Sequence, residues 1–201
     1  TLTSDGEKLN NRGGQIISKG KLDITAKDTS IDSSGGYIVG KNIAADVGSV
    51  SGGKIESWEE LTLRAKKAEK MESVRSGGNM NIQTQDKYTM NFQHYSGGWA
   101  NIHSDTGIEI APGQERSNFQ GNLMLSSNSY ITNEGLIASA GKTIVQAPEY
   151  IENRNGGRIY GAHVAIGTKS FLNTGENTIV NGANRVEIGA ETIKNENGAT
   201  I

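Results

Sequence analysis

Three histidines, one lysine-glycine stretch and a thin set of carboxylates are the residues here that could do chemistry. His94, His103 and His163 are the only imidazoles, and the chain has no cysteine. A zinc site needs convergent ligands, and no His-x-x-His pair is present to supply them. The repeat phase worked out below puts His103 just after an inward isoleucine and His163 just before an inward valine, so both point outward. A solvated imidazole is the expectation for all three. "GSVSGGKI" (48–55) has the spacing of a phosphate loop at Gly48, Gly53 and Lys54, but Ile55 stands where a magnesium-binding hydroxyl belongs. No strand-loop-helix context follows it. Glycoside hydrolysis needs two carboxylates flanking the scissile bond. Acids at the outward rung position are Asp23 and Glu187, near opposite ends of the chain. No catalytic, metal or cofactor site is therefore expected.

The most unusual local composition is "YTMNFQHYSGGW" (88–99). Tyr88, Phe92, Tyr95 and Trp99 put four of the chain's eleven aromatics beside His94. Exposed aromatics anchor partners or stack on sugars, so these five residues form a candidate recognition patch. The alternative is packing, with Phe92 filling a wider coil.

The elements that would position these residues come from a repeat. Glycine precedes alternating apolar residues in "NRGGQIISKGKLDITA" (11–26), "RSGGNMNIQT" (75–84), "YSGGWANIHS" (95–104) and "NGGRIYGAHVAIGT" (155–168), with looser copies between. An alternating pair ends each copy: Leu22/Ile24, Ile43/Ala45, Leu61/Leu63, Met80/Ile82, Ala100/Ile102, Leu123/Leu125, Thr143/Val145, Val164/Ile166 and Val186/Ile188. From Leu22 to Val186 is 164 residues in eight steps, a mean of 20.5. Period-two alternation is a strand signature. A unit this short cannot bury its apolar face alone, so successive units must stack as coils. Ile24, Leu63, Ile82, Ile102, Leu125, Val145, Ile166 and Ile188 then form one internal ladder, with Ala26, Ala65 and Ala190 where space narrows. The glycine pairs read as backbone corners. One stretch resists: "SWEELTLRAKKAEKMESV" (57–74) carries a capping box, Ser57 with Glu60, followed by strong helix formers. A strand followed by a protruding loop or short helix around 66–73 is expected there.

The unit "N-x-G-G-x-I … G-x-x-L-x-I-x-A" resembles the haemagglutinin repeats of filamentous haemagglutinin and of contact-dependent growth inhibition exoproteins. The likeness is strongest in "APEYIENRNGGRIYGAHVAIGT" (147–168) and "LNNRGGQIISKGKLDITAKD" (9–28). The resemblance implies an all-β, right-handed parallel β-helix (β-solenoid) of about nine to ten coils. It also implies secretion by the two-partner route through an outer-membrane transporter to the surface of a Gram-negative bacterium. Residues 1–201 would be a single internal segment of such a filament, irregular or protruding at about 66–76 and 84–130. Its expected role is a virulence-associated stalk for adhesion or toxin delivery, touching a cell-surface receptor or glycan on its outer face. A carbohydrate-active β-helix enzyme or carbohydrate-binding module is the alternative.

Other classes recede. Net charge is −2 with no lysine/arginine block, so a nucleic-acid groove is not expected. No apolar run approaches the ~18 residues of a membrane span. Glycine is about twice its usual ~7% share, at 27 residues, while prolines number only two, which fits corners rather than linkers.

Overall fold

A computed structural model describes residues 1–113 and 117–201. Among them every regular element is a strand, and all strand pairings are parallel. The chain winds as a right-handed β-solenoid of about nine turns. Each turn lays three short runs on three faces, joined at corners. The long strands Gln15–Asp32, Tyr37–Ser51 and Arg158–Thr174 bend across corners without leaving the ladder. Parallel neighbours stack about 4.8 Å apart, so nine turns make a rod roughly 45 Å long.

The first face carries the alternating pairs. Leu22 pairs in turn with Ile43, Leu61, Met80, Ala100, Leu123, Thr143, Val164 and Val186, an unbroken row of nine. The second face stacks Leu9, Ile31, Val50 and Ala68, then Tyr88, Ile108, Ile131, Ile151, Phe171 and Ile193. The third stacks Ile16, Ile38, Ile55, Val74 and His94, then Ile137, Ile159 and Val180. Most of these side chains meet on the axis in one continuous apolar core, with Leu9, Ile16 and Val186 partly buried against it and Ile193 exposed at the end of its row. Each buried aliphatic contributes roughly 1.5–3 kcal/mol, and several per turn supply the main apolar stabilisation of the stack.

The glycine pairs mark two different corners. Gly13-Gly14, Gly35-Gly36, Gly52-Gly53 and Gly156-Gly157 lie between the second and third faces, and each pair includes a residue at positive φ. Gly77-Gly78 and Gly97-Gly98 lie between the third and first faces and have none. There the need is closeness: a Cβ on Gly77 would sit 2.0 Å from the Trp58 carbonyl oxygen. The 25-residue gap from Gly52 to Gly77 is thus a change of corner, not an insertion.

That corrects the expectation of a protrusion at 66–76. Leu61–Glu69 is one strand in register with Tyr37–Ser51, and Ser73–Ser76 stacks on Lys54–Ser57. Leu61, Leu63, Ala65 and Ala68 are buried, whereas Lys66 and Lys67 face solvent at the corner. Stacking overrides helix propensity here. The Ser57 hydroxyl, instead of capping a helix, donates to the carbonyls of Lys41 and Glu60, and Ser76 repeats this toward Glu59 and Asn79. In the 84–130 region the described strands are also in register: Met80–Thr84, Ala100–Ser104 and Leu123–Ser127 pair residue for residue. The longer step from Ala100 to Leu123 is taken up between Ile110 and Asn118, where Ala111–Gly113 turn and residues 114–116 lie outside the described set.

One internal feature has no counterpart in the apolar ladders. Asn133, Asn153, Asn173 and Asn195 occupy one row at the end of the second face. The first three are fully buried. Each donates its Nδ2 to the Oδ1 of the next, at 2.7, 2.8 and 2.8 Å, and a second time to a carbonyl across the corner, of Arg158, Ile179 or Thr200. Asn11 and Ser33 make a two-member version near the other end. These amides tie each corner to the next coil from inside.

Candidate functional site

The aromatic cluster divides between inside and outside. Tyr88, Phe92 and His94 are buried, which removes them from any surface patch and overturns the expectation of a solvated His94. His94 takes the third-face position that is Val74 on the coil before, so its ring is carried into the core. Its Nε2 lies 2.8 Å from the Tyr88 hydroxyl, and its Nδ1 lies 3.0 Å from the Phe92 carbonyl. The Phe92 ring stacks on it at 4.5 Å, with Phe119 beyond. Burial pushes the imidazole down to about 4 and the Tyr88 phenol far up, so both are neutral near pH 7. Phe92 and Phe119 pack against the imidazole inside the core.

Tyr95 and Trp99 do face outward. Tyr95 is half-buried, with the Arg75 guanidinium 4.9 Å from its ring centre and Glu56 beside that guanidinium. Trp99 is 46% exposed, and its main-chain N–H donates to Asn79 Oδ1 at 3.0 Å. Residue-by-residue reading missed Trp58, which is 56% exposed at the same corner two coils earlier. The usable signal was its position one residue after Ser57, equivalent to Gly77 and Gly97 after Ser76 and Ser96.

The other candidates are placed as follows. His103 and His163 are outward and half-buried. His103 Nδ1 lies 2.9 Å from Ser126 Oγ and its Nε2 3.2 Å from Asp105, which also accepts from Asn128. This is a nucleophile, base and orienter in series, beside a groove of about 550 Å³. Ser126, however, sits mid-strand with both neighbouring strands in place, so its main chain is committed to the ladder and no pair of N–H groups is available for an oxyanion. His163 pairs with Glu187 at 2.8 Å. Asp23 and Glu187 are the two ends of one row, eight rungs apart. Lys54 of the loop-like "GSVSGGKI" leans on the Tyr37 ring and reaches Glu72, with no helix behind it.

A second groove, of about 330 Å³, holds Tyr130 stacked on Tyr150 at 5.2 Å, with Glu109, Glu134 and Glu152 around them. Lys87 neutralises Glu109, and Arg154 bridges Glu134 and Glu152. Burial and the nearby Glu109 push the Tyr130 phenol up to about 12. None of these carboxylates is isolated as a general acid would be. Among the described residues no group of three or more histidines and carboxylates could hold a metal ion, and no helix is long and apolar enough to cross a membrane. No protein-family model, curated protein or solved structure matches the chain.

Proposed function

We propose that this chain is a stalk segment of a secreted, surface-exposed filament. It would be exported through an outer-membrane transporter of the two-partner type and serve adhesion or contact-dependent toxin delivery. The observation that supports this most is the unbroken nine-member row on the first face, with a matching core on the other two. Each coil contacts chiefly its neighbours, so such a rod can grow turn by turn as the chain emerges, and its length is set by the number of repeats. Its work is then mechanical: it holds whatever it carries at a distance from the cell. The likeness of the N-x-G-G unit to haemagglutinin repeats supports the secretion route. Exposed Trp58 and Trp99 favour a carbohydrate-binding role over hydrolysis as the second reading, with contact on the outer face. Two measurements test the proposal. Small-angle scattering of the purified chain should show an elongated particle, and an antibody to this segment should bind intact producing cells. A compact particle, or an epitope reached only after lysis, would overturn it.

A further inference from the structure

We propose that the corner between the third and first faces binds an extended, uncharged β-1,4-linked polysaccharide, laid obliquely over Trp58, the bare main chain of Gly77 and Gly97, and Trp99. The inference rests on the reading that the outer face of the rod touches a partner, and it names the chemical class of that partner. Trp58 is 56% exposed and Trp99 46%, and the chain contains no other tryptophan. They stand two coil steps apart, about 10 Å along the axis, and two residue positions apart around the corner. An extended β-1,4-linked chain, whose disaccharide repeat is of similar length, would therefore cross the corner obliquely. Between them Gly77, Gly78, Gly97 and Gly98 leave the main chain bare, with Asn79 flanking it in the row of Trp99. Gly77 N–H donates to the Ser57 carbonyl and Gly97 N–H to the Ser76 carbonyl, so the two glycines stack directly on the coil before. A Cβ on Gly97 would lie 2.1 Å from the Gly77 carbonyl oxygen, so packing alone keeps this floor flat and rigid.

The rim argues for a sugar rather than a protein. Asn79 donates to Glu60 at 3.2 Å while accepting the Trp99 main-chain N–H, and Asn42 donates to Glu59 at 3.0 Å. These amides and carboxylates are the kind of group that sugar hydroxyls pair with, and indole faces stack on pyranose rings. A stable protein interface buries about 800 Å² per side around a well-packed core of clustered anchor side chains. Here the two rings are separated by polar main chain. Charge narrows the class further. Glu56, Glu59 and Glu60 stand against Lys41 and Arg75, an excess of one negative charge, which disfavours sulfated or uronic chains.

Intrinsic fluorescence reports this corner directly because both tryptophans lie in it. The full chain is titrated with chitohexaose, cellohexaose and mannohexaose, with heparin as the charged comparison. The expected result is a saturable change with at least one of the three neutral chains, confirmed by calorimetry. Trp58→Ala and Trp99→Ala should each weaken it at least ~10-fold by calorimetry, with unchanged circular dichroism. Binding to none of the three, binding to heparin alone, or unchanged affinity in both variants would overturn the site. A chain that scatters as a rod yet binds no sugar would remove this site and leave the stalk. A compact chain that binds through both tryptophans would do the reverse.

Discussion

Replacing Asn153 by alanine tests whether the buried amide row holds the coils together. In the folded chain Asn153 Oδ1 accepts from Asn133 at 2.7 Å, and its Nδ2 donates to Asn173 Oδ1 at 2.8 Å and to the Ile179 carbonyl at 3.2 Å. Truncation removes three hydrogen bonds. Asn133 keeps the Arg158 carbonyl as acceptor, while the fully buried Asn173 loses the donor to its Oδ1 and the Ile179 carbonyl of the half-buried corner loses one as well. A net hydrogen bond is worth about 1 kcal/mol and a stranded buried group costs about 1–3 kcal/mol. The sum, allowing a water to take part of the vacated space, is about 3 kcal/mol. Asn101→Ala is the matched control. It lies half-buried on the outward side of the first face, making one 3.3 Å bond to Asn81 and leaving its buried Oδ1 without a partner, so its loss should cost under about 1 kcal/mol. Urea unfolding followed by far-ultraviolet circular dichroism reads both, as a midpoint shift at constant slope. If Asn153→Ala moves the midpoint no further than Asn101→Ala, the inner amides do no more than the outer ones, and the corner is held by the apolar core alone.

His94 should make the rod acid-sensitive. Its folded value near 4 lies below the ordinary 6.5, so the unfolded chain binds the extra proton first and stability falls as pH drops from about 6.5 toward 4. Between pH 7.5 and 5 the loss is about 2 kcal/mol. Urea midpoints at the two pH values measure it, and His94→Val should flatten the dependence in that window. Gly77→Ala should be severe because its Cβ would meet the Trp58 carbonyl oxygen, whereas Gly20→Ala, with nothing within 4 Å, should be near neutral or slightly stabilising by thermal melting. The Arg12 guanidinium and the Ser34 hydroxyl hold Asp32 down to about 2. The Arg12–Asp32 contact should therefore persist at pH 3 and be lost only as pH falls further, which a carboxyl titration by nuclear magnetic resonance would show. A midpoint near 4 would contradict it.

The coil register was legible because stacking and alternation impose one period together. Every first-face position from Leu22 to Val186 falls where the pairs place it. The corners were less legible, since the dipeptide Gly-Gly looks the same at both. Distance to the next apolar pair separates them: Gly13 stands nine residues before Leu22, but Gly77 only three before Met80. Asn133, Asn153 and Asn173 also recur at equal steps of 20, yet asparagine near glycine reads as a turn residue, and period alone does not say that its amide points inward. His94 was misplaced for a related reason. Polarity argues for solvent, whereas its rung, shared with Val74 on the coil before, carries it inside, where Tyr88 supplies the needed hydrogen bond.

The same logic shows where function can reside on such a rod. Inward positions answer to the coils above and below, so each substitution there is read against two neighbours. Outward positions answer only to solvent and to the adjacent side chain, as Arg64 with Gln83 or His103 with Ser126 show. An outward residue that breaks the polar rule without being drawn into the core has no structural reason to be there. Ile17 on the third face is one such residue, 58% exposed with Val39 next to it in the row. Trp58 and Trp99 are the large pair, and they share a corner whose main chain is held flat by packing. Stability therefore accounts for the floor between them but not for the indoles, and it is the indoles that a partner would explain.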